Sequence, residues 1–363
     1  MRSPGLEPAP LDPSLHDLPL AAYRPRASMR VPEHHVERAR FPAIDGHNHL
    51  GGWLAPDGDW SVRDVGALLA DMDRCNVAAI VNLDGMWGDE LRANLERYDE
   101  AHPGRFGTFA HLAWQQPGEP GWPDRLVRGV RDVAAAGAKG LKVWKSLGLG
   151  LRDERDAWIL PDDGRLAPVW EAAGELSLPI VIHVADPVAF FEPVDARNER
   201  LEELLAHPEW SFADERFPRF ARLIDGLEAV VARHPATTFI GAHVGCFAED
   251  LAWVDRMLGT YPNFHVDLAA RIAELGRQPR AARRLIDAHP ERVLFGIDLF
   301  PPDPAEYAIH FRFLETDDEG FAYATDDPPP QGRWTISGLA LPDETLRAVY
   351  ASNARRLIPG LGG

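Results

Sequence analysis

The sequence predicts an α/β fold, a single (β/α)8 TIM barrel, on two observations. From Phe41 onward, short apolar runs alternate with longer amphipathic stretches, the pattern of successive strand–helix units around a parallel sheet. The apolar runs number eight, the count at which such units close into a barrel. An open doubly wound sheet is the competing fold, but no GxGxxG or P-loop follows the first run.

Residues 1–40 are proline-rich and weakly periodic, so they are expected to form an extended arm ahead of a barrel domain at 41–363. The expected strands are Phe41–Leu50, Val77–Leu83, Phe106–Leu112, Gly140–Trp144, Pro179–Val184, Thr238–His243, Phe264–Leu268 and Val293–Asp298. Between them, Arg63–Arg74, Arg125–Ala136, Ala167–Leu176, Phe217–His234, Ala248–Leu258 and Arg280–His289 repeat apolar residues at three- and four-residue spacing, which predicts helices. Two connections are long, from Ala185 to about Pro218 after strand five and from Leu299 to about Leu341 after strand eight. Loops leaving the carboxyl ends of barrel strands build the active site, so these insertions are expected to be lids or specificity elements.

Composition narrows the function. The 363 residues carry a net charge of −18 with no basic block. Nucleic-acid binding is therefore not expected, because a phosphate backbone needs clustered Lys and Arg. Cys75 and Cys246 are far apart and form no CxxC, which fits a reducing, cytoplasmic setting without a disulfide framework. Prolines interrupt the N-terminal apolar runs before they reach signal-peptide or membrane-span length, so no membrane partner is expected. A small molecule is the expected partner, and nothing in the sequence marks or excludes a homo-oligomer.

The sharpest local signal is Asp45-Gly46-His47-Asn48-His49 at the end of strand one. Strand side chains repeat every second residue, so His47 and His49 face the same way and present two imidazoles to one ion. His183, His243 and Asp298 end strands five, six and eight. Polar groups at the carboxyl ends of strands one, five, six and eight are expected to converge on one mouth, where neutral imidazoles and a carboxylate can hold a d-block cation.

This order, HxH, then His183, His243 and Asp298, resembles the amidohydrolase superfamily, and the pattern over residues 41–358 is similar to its amidohydrolase-related group, which includes 2-amino-3-carboxymuconate semialdehyde decarboxylase. The resemblance implies a divalent metal, commonly one Zn2+, bound by His47, His49, His183 and Asp298, with His243 near the metal-bound water. It also implies that His243 or Asp298 moves the proton. A metal-activated water attacking an amide, ester or lactone bond is the first expected reaction. Nonoxidative decarboxylation of a small aromatic or unsaturated acid is the alternative. A metal-stabilised, non-catalytic binding protein ranks third. Superfamily members with two metals carry a carboxylated lysine at the end of strand four, where Lys142 stands, so a two-metal site bridged by Lys142 is the competing cofactor reading.

Aromatic residues follow several strands: Trp53, Trp87, Trp114, Trp144, Phe190, Phe191, Phe247 and Phe300. They are expected either to rim a pocket for a ring, with Trp53, Trp87 and Trp144 as substrate contacts, or to pack the loops. Arg271, shortly after strand seven, is placed to grip a substrate carboxylate through its planar fork or to lie on the surface. Asp267 on strand seven is expected either to orient a ligand imidazole or to cap a turn.

Overall fold

The computed structural model describes residues 11–26, 28–55 and 58–362, and the chain divides into two units, residues 1–32 and 33–363. In the first, two short 3-10 turns, Pro13–Asp17 and Leu20–Ala22, are joined by extended chain. Asp12 caps the first turn by accepting from the Ser14 amide, and Leu11, Leu15, Leu20 and Met29 are all exposed.

The second unit is the barrel. Its eight strands are β1 (Ala43–Asn48), β2 (Val77–Asn82), β3 (Phe106–Ala110), β4 (Gly140–Val143), β5 (Ile180–Ile182), β6 (Phe239–Gly241), β7 (Phe264–Asp267) and β8 (Val293–Leu294). Each pairs in parallel with the next in chain order. Two backbone bonds close the ring between last and first: Gly46 N donates to Phe295 O at 2.8 Å, and Asp298 N donates to His47 O at 2.9 Å. A Cβ on Gly296 would lie 3.0 Å from the His47 Cβ, so a side chain there would crowd this seam.

The strands run one to four residues shorter than the apolar runs. All six expected helices form, as Val65–Cys75, Trp122–Ala136, Ala167–Glu175, Phe220–Arg233, Leu251–Thr260 and Pro279–Ala288. Their ends follow local chemistry. Asp64 and Asp250 accept from first-turn amides, while Asn76 and Gly137 stop their helices in the left-handed region.

The core has two layers. Ile44, Ala79, Val81, Phe109, Val181, Ile240 and Leu294 fill the barrel, joined by Ile358 and Leu361 from the C-terminal segment. A larger shell packs strands against helices. The strand-eight insertion supplies structure rather than a loose lid. Its helix Pro304–Glu315 buries Tyr307, His310, Phe311, Phe313 and Leu314, with Phe311 tilted against Phe295 and edge to face with Tyr350. Among the described residues, no helix is long and apolar enough to cross a membrane.

Candidate metal centre

His47, at the end of β1, is fully buried, and its Nδ1 lies 2.8 Å from Asp267 Oδ2. His49 Nδ1 lies 2.5 Å from Asp84 Oδ1. A carboxylate can only accept, so each Nδ1 carries the hydrogen and each Nε2 faces inward. Asp267 therefore orients an imidazole. Its other oxygen accepts from the His243 amide at 2.9 Å. Asp84 was not singled out from the sequence, although it stands just past the end of β2, as Asp298 stands past the end of β8.

Asp298 lies at the centre of the group. Its Oδ1 is 3.4 Å from His49 Nε2 and 3.8 Å from His47 Nε2, and its Oδ2 is 3.7 Å from His243 Nε2. His243 Nδ1 is held by the Ala269 carbonyl at 2.9 Å, which fixes that ring in the same sense. Ligand atoms of His47, His243 and Asp298 all fall within 4.8 Å of one another. His183 packs its ring 4.5 Å from that of His243 and lies 3.3 Å from Asp186 Oδ1. Both of its nitrogens, and Asp298 Oδ1, are buried without a hydrogen-bond partner. A buried group left this way is costly unless something else completes it.

The backbone is bent to present these side chains. His243, Val244 and Cys246 sit at φ of 58°, 60° and 61°, and Asp298 at 54°. Left-handed backbone is uncommon for non-glycine residues and most costly for a β-branched one such as Val244, so the surrounding structure must hold the turn. Gly241 makes it sterically feasible, since a Cβ there would lie 2.7 Å from Phe264 Cζ and 2.8 Å from Gly245 Cα.

The electrostatics divide the central groups into one raised imidazole, one lowered carboxyl and two imidazoles kept neutral. Burial pulls the His49 imidazole down, but the carboxylates of Asp84 and Asp298 push it up to about 9. Burial pushes Asp298 up, and His47, His49 and His243 more than offset it, holding the carboxyl well below its usual range. Burial, followed by Lys142, keeps His47 neutral, and burial, followed by His183, does the same for His243.

Lys142, on β4, is 1% exposed, and its Nζ lies 3.1 Å from His47 Nε2. Lys145 leaves the strand for the rim, where its Nζ is 2.5 Å from Asp186 Oδ2.

The candidate aromatic rim divides. Trp53 and Trp144 meet edge to face at 4.9 Å. Trp144 stands 5.1 Å from His183, and Phe300 stands 5.3 Å from His49. These three rings form a cup on the imidazoles. Trp87 instead lines a cleft of about 440 Å³ with His111, Leu91 and Arg92. Trp114 packs on Trp170, Phe190 on Trp210, Phe191 on Phe212 and Phe247 on Phe220. Arg271 is 6% exposed, donates to the Ala270 carbonyl at 2.8 Å and acts electrostatically on Glu203, Glu249 and His243.

A family model described as amidohydrolase matches residues 44–360. Among solved structures, 2,6-dihydroxybenzoate decarboxylase from Rhizobium is similar at 16% identity and a TM-score of 0.55, over 87% of this chain and 98% of that one. The 5-carboxyvanillate decarboxylase from Sphingomonas paucimobilis is similar at 16% and 0.52, over 88% and 99%. A dihydroxybenzoic acid decarboxylase from Polaromonas sp. JS666, with bound manganese and the inhibitor 2-nitroresorcinol, is similar at 17% and 0.55, over 87% and 96%. At these identities the likeness establishes the barrel fold. No curated protein sequence matches significantly.

Proposed function

The chain belongs to the amidohydrolase family matched over residues 44–360, and on that basis we propose that it is a metal-dependent, nonoxidative decarboxylase of a small aromatic or otherwise unsaturated carboxylic acid. The observation that carries this reading is the cup of Trp53, Trp144 and Phe300 standing directly on the imidazoles of His49 and His183. Ring faces and edges at this spacing suit a planar, unsaturated guest. That the three similar structures described above are decarboxylases supports the same choice. Hydrolysis of an amide, ester or lactone, ranked first from the sequence, draws on the same residues but has no comparable support.

The donor set fits a divalent cation. Two imidazoles have their Nε2 atoms turned inward by carboxylates, and Asp298 Oδ1 and both His183 nitrogens lack partners. His47, His49, His183 and Asp298 would hold the ion, and zinc or manganese suits such mixed imidazole–carboxylate donors. When bound, it supplies Lewis-acid polarisation of a substrate oxygen. One ion is proposed: His47, His49, His183 and Asp298 suffice to hold it, and Lys142, whose Nζ faces His47 Nε2 at 3.1 Å, would yield that nitrogen to the ion, whereas a bridging carboxylated Lys142 would serve only a second ion.

The reaction needs one proton delivered to a ring carbon while the bond to the carboxylate breaks and CO2 leaves. Asp298 and His243, 3.7 Å apart, are the pair that relays that proton, which must be taken up from solvent because both groups rest deprotonated. The test is CO2 release by metal-loaded protein from a panel of hydroxybenzoic and related unsaturated acids, run beside a panel of amides, esters and lactones. CO2 from an acid supports the proposal; acid or amine release from the second panel alone overturns it in favour of hydrolysis.

A further inference from the structure

We propose that Lys145 is a substrate-anchoring residue and that the natural substrate carries a second carboxylate besides the one it loses. This rests on the decarboxylase reading for which group is lost, and on its own geometry for the rest.

Lys145 stands where the catalytic cup meets the strand-five insertion. Its ammonium lies 5.4 Å from the Trp144 ring centre and 5.8 Å from that of Phe212, between a wall of the cup and a wall of the insertion. Asp186 holds it at 2.5 Å through Oδ2, and the other oxygen of Asp186 lies 3.3 Å from His183 Nε2. From there a run of contacts leads inward through His183 and His243 to Asp298. The Lys145 side chain keeps 20% of its surface exposed, whereas Asp186 keeps 8% and His183 5%. Lys145 is thus a cation fixed in place at the rim, and an ammonium has three donors, of which Asp186 need occupy only one.

An anion that this ammonium grips is not the carboxylate that leaves. The breaking bond must lie beside the proton-carrying Asp298–His243 pair, and Lys145 is separated from that pair by Asp186 and His183. Pairing the ammonium with the leaving carboxylate would also stabilise the ground state more than the transition state, in which charge moves onto the ring, and so would slow the step. A second carboxylate on the far side of the ring meets neither objection. The flanking Trp144 and Phe212 rings lower the local dielectric, and they strengthen such a charge-assisted bond relative to one in open water.

The test is calorimetric titration of the metal-loaded, full-length protein with isophthalate and with benzoate, which share a ring and differ by one carboxylate. Wild type is expected to bind isophthalate roughly tenfold or more tightly than benzoate. In Lys145→Met and Lys145→Gln the preference should fall to about twofold or less, with Lys145→Arg keeping part of it. Melting temperatures within a few degrees of wild type show which variants have folded. Equal binding of the two acids by wild type, binding of neither, or a preference that survives in both folded neutral variants overturns the proposal. Because the readout is binding, it separates from the proposed reaction: absence of CO2 release with a Lys145-dependent preference overturns the decarboxylase reading alone.

Discussion

Asp267 joins two of the central histidines with one carboxylate, bonding the ring of His47 at 2.8 Å through Oδ2 and the backbone amide of His243 at 2.9 Å through Oδ1. The first imidazole is thereby turned, and the strained turn carrying the second is pinned. Asp267→Asn offers an amide that serves the His243 amide through its oxygen but presents N–H to the His47 Nδ1–H. Metal affinity is expected to fall by about 10- to 100-fold, read by competition with a chelator, with secondary structure intact.

Asp84 performs the same service for His49 alone. Asp84→Asn should weaken metal binding by a similar factor of about 10 to 100. The double variant His47→Ala, His49→Ala should abolish it, as measured by elemental analysis of protein purified without chelator. Full retention of one ion per chain by that double variant would place the metal elsewhere.

The two remaining imidazoles are told apart by separate substitution. His183→Ala should lose metal, because His183 is assigned as a ligand. His243→Ala should keep the ion yet lose about 10²- to 10⁴-fold in kcat, the range for removal of a proton-transfer group. The reverse pattern would exchange the two roles, an exchange that the tight grouping of His47, His243 and Asp298 makes worth testing.

A pH effect on stability follows from His265 on β7, which is 3% exposed with neither ring nitrogen hydrogen-bonded. Burial, aided by Arg292 and Arg356, pulls it down to about 3. The unfolded chain takes up the proton near pH 6.5, while the folded protein stays neutral until about pH 3. Stability from this group is therefore complete above pH 6.5 and falls as pH drops through that window, by about 1.4 kcal/mol per unit. His265→Leu should lose roughly 2 kcal/mol less than wild type between pH 6.5 and 4.5, measured by urea denaturation. Equal losses would show that His265 does not titrate differently on folding.

Gly241→Ala should destabilise the protein by about 1–3 kcal/mol, since the new methyl meets the fixed backbone of Gly245 at 2.8 Å as well as the Phe264 ring. Calorimetric melting with metal analysis would show whether the His243 turn is displaced along with the loss of stability.

Most of the barrel was legible because its signals are local. The apolar runs sit on strands, the three- and four-residue spacing sits on helices, and His47, His49, His183, His243 and Asp298 stand at strand ends, which the topology brings to one mouth. What escaped depends on loop conformation. Trp53 and Trp87 occupy comparable places after β1 and β2, yet one joins the cup and the other lines a separate stretch of helix cleft, a difference set by turns that no periodicity encodes. Asp84 and the Lys145–Asp186 pair gave no pattern of their own, since a single charged residue after a strand looks the same whether it faces the mouth or solvent. The helix Pro304–Glu315 was hidden because its buried residues interleave with polar ones, including Tyr307, whose hydroxyl reaches back to Asp45 at 2.7 Å.

The seam between β8 and β1 gives the site a place in time as well as in space. His47 belongs to the first strand that a ribosome would release and Asp298 to the stretch after the last, and the bond from the Asp298 amide to the His47 carbonyl forms only when both are present. Pairings this remote in sequence are late events in folding. A nascent chain halted before residue 298 would have its histidines but lack the carboxylate among them, so tight binding of the proposed ion is expected only once synthesis has passed residue 298 and the β8–β1 seam has closed.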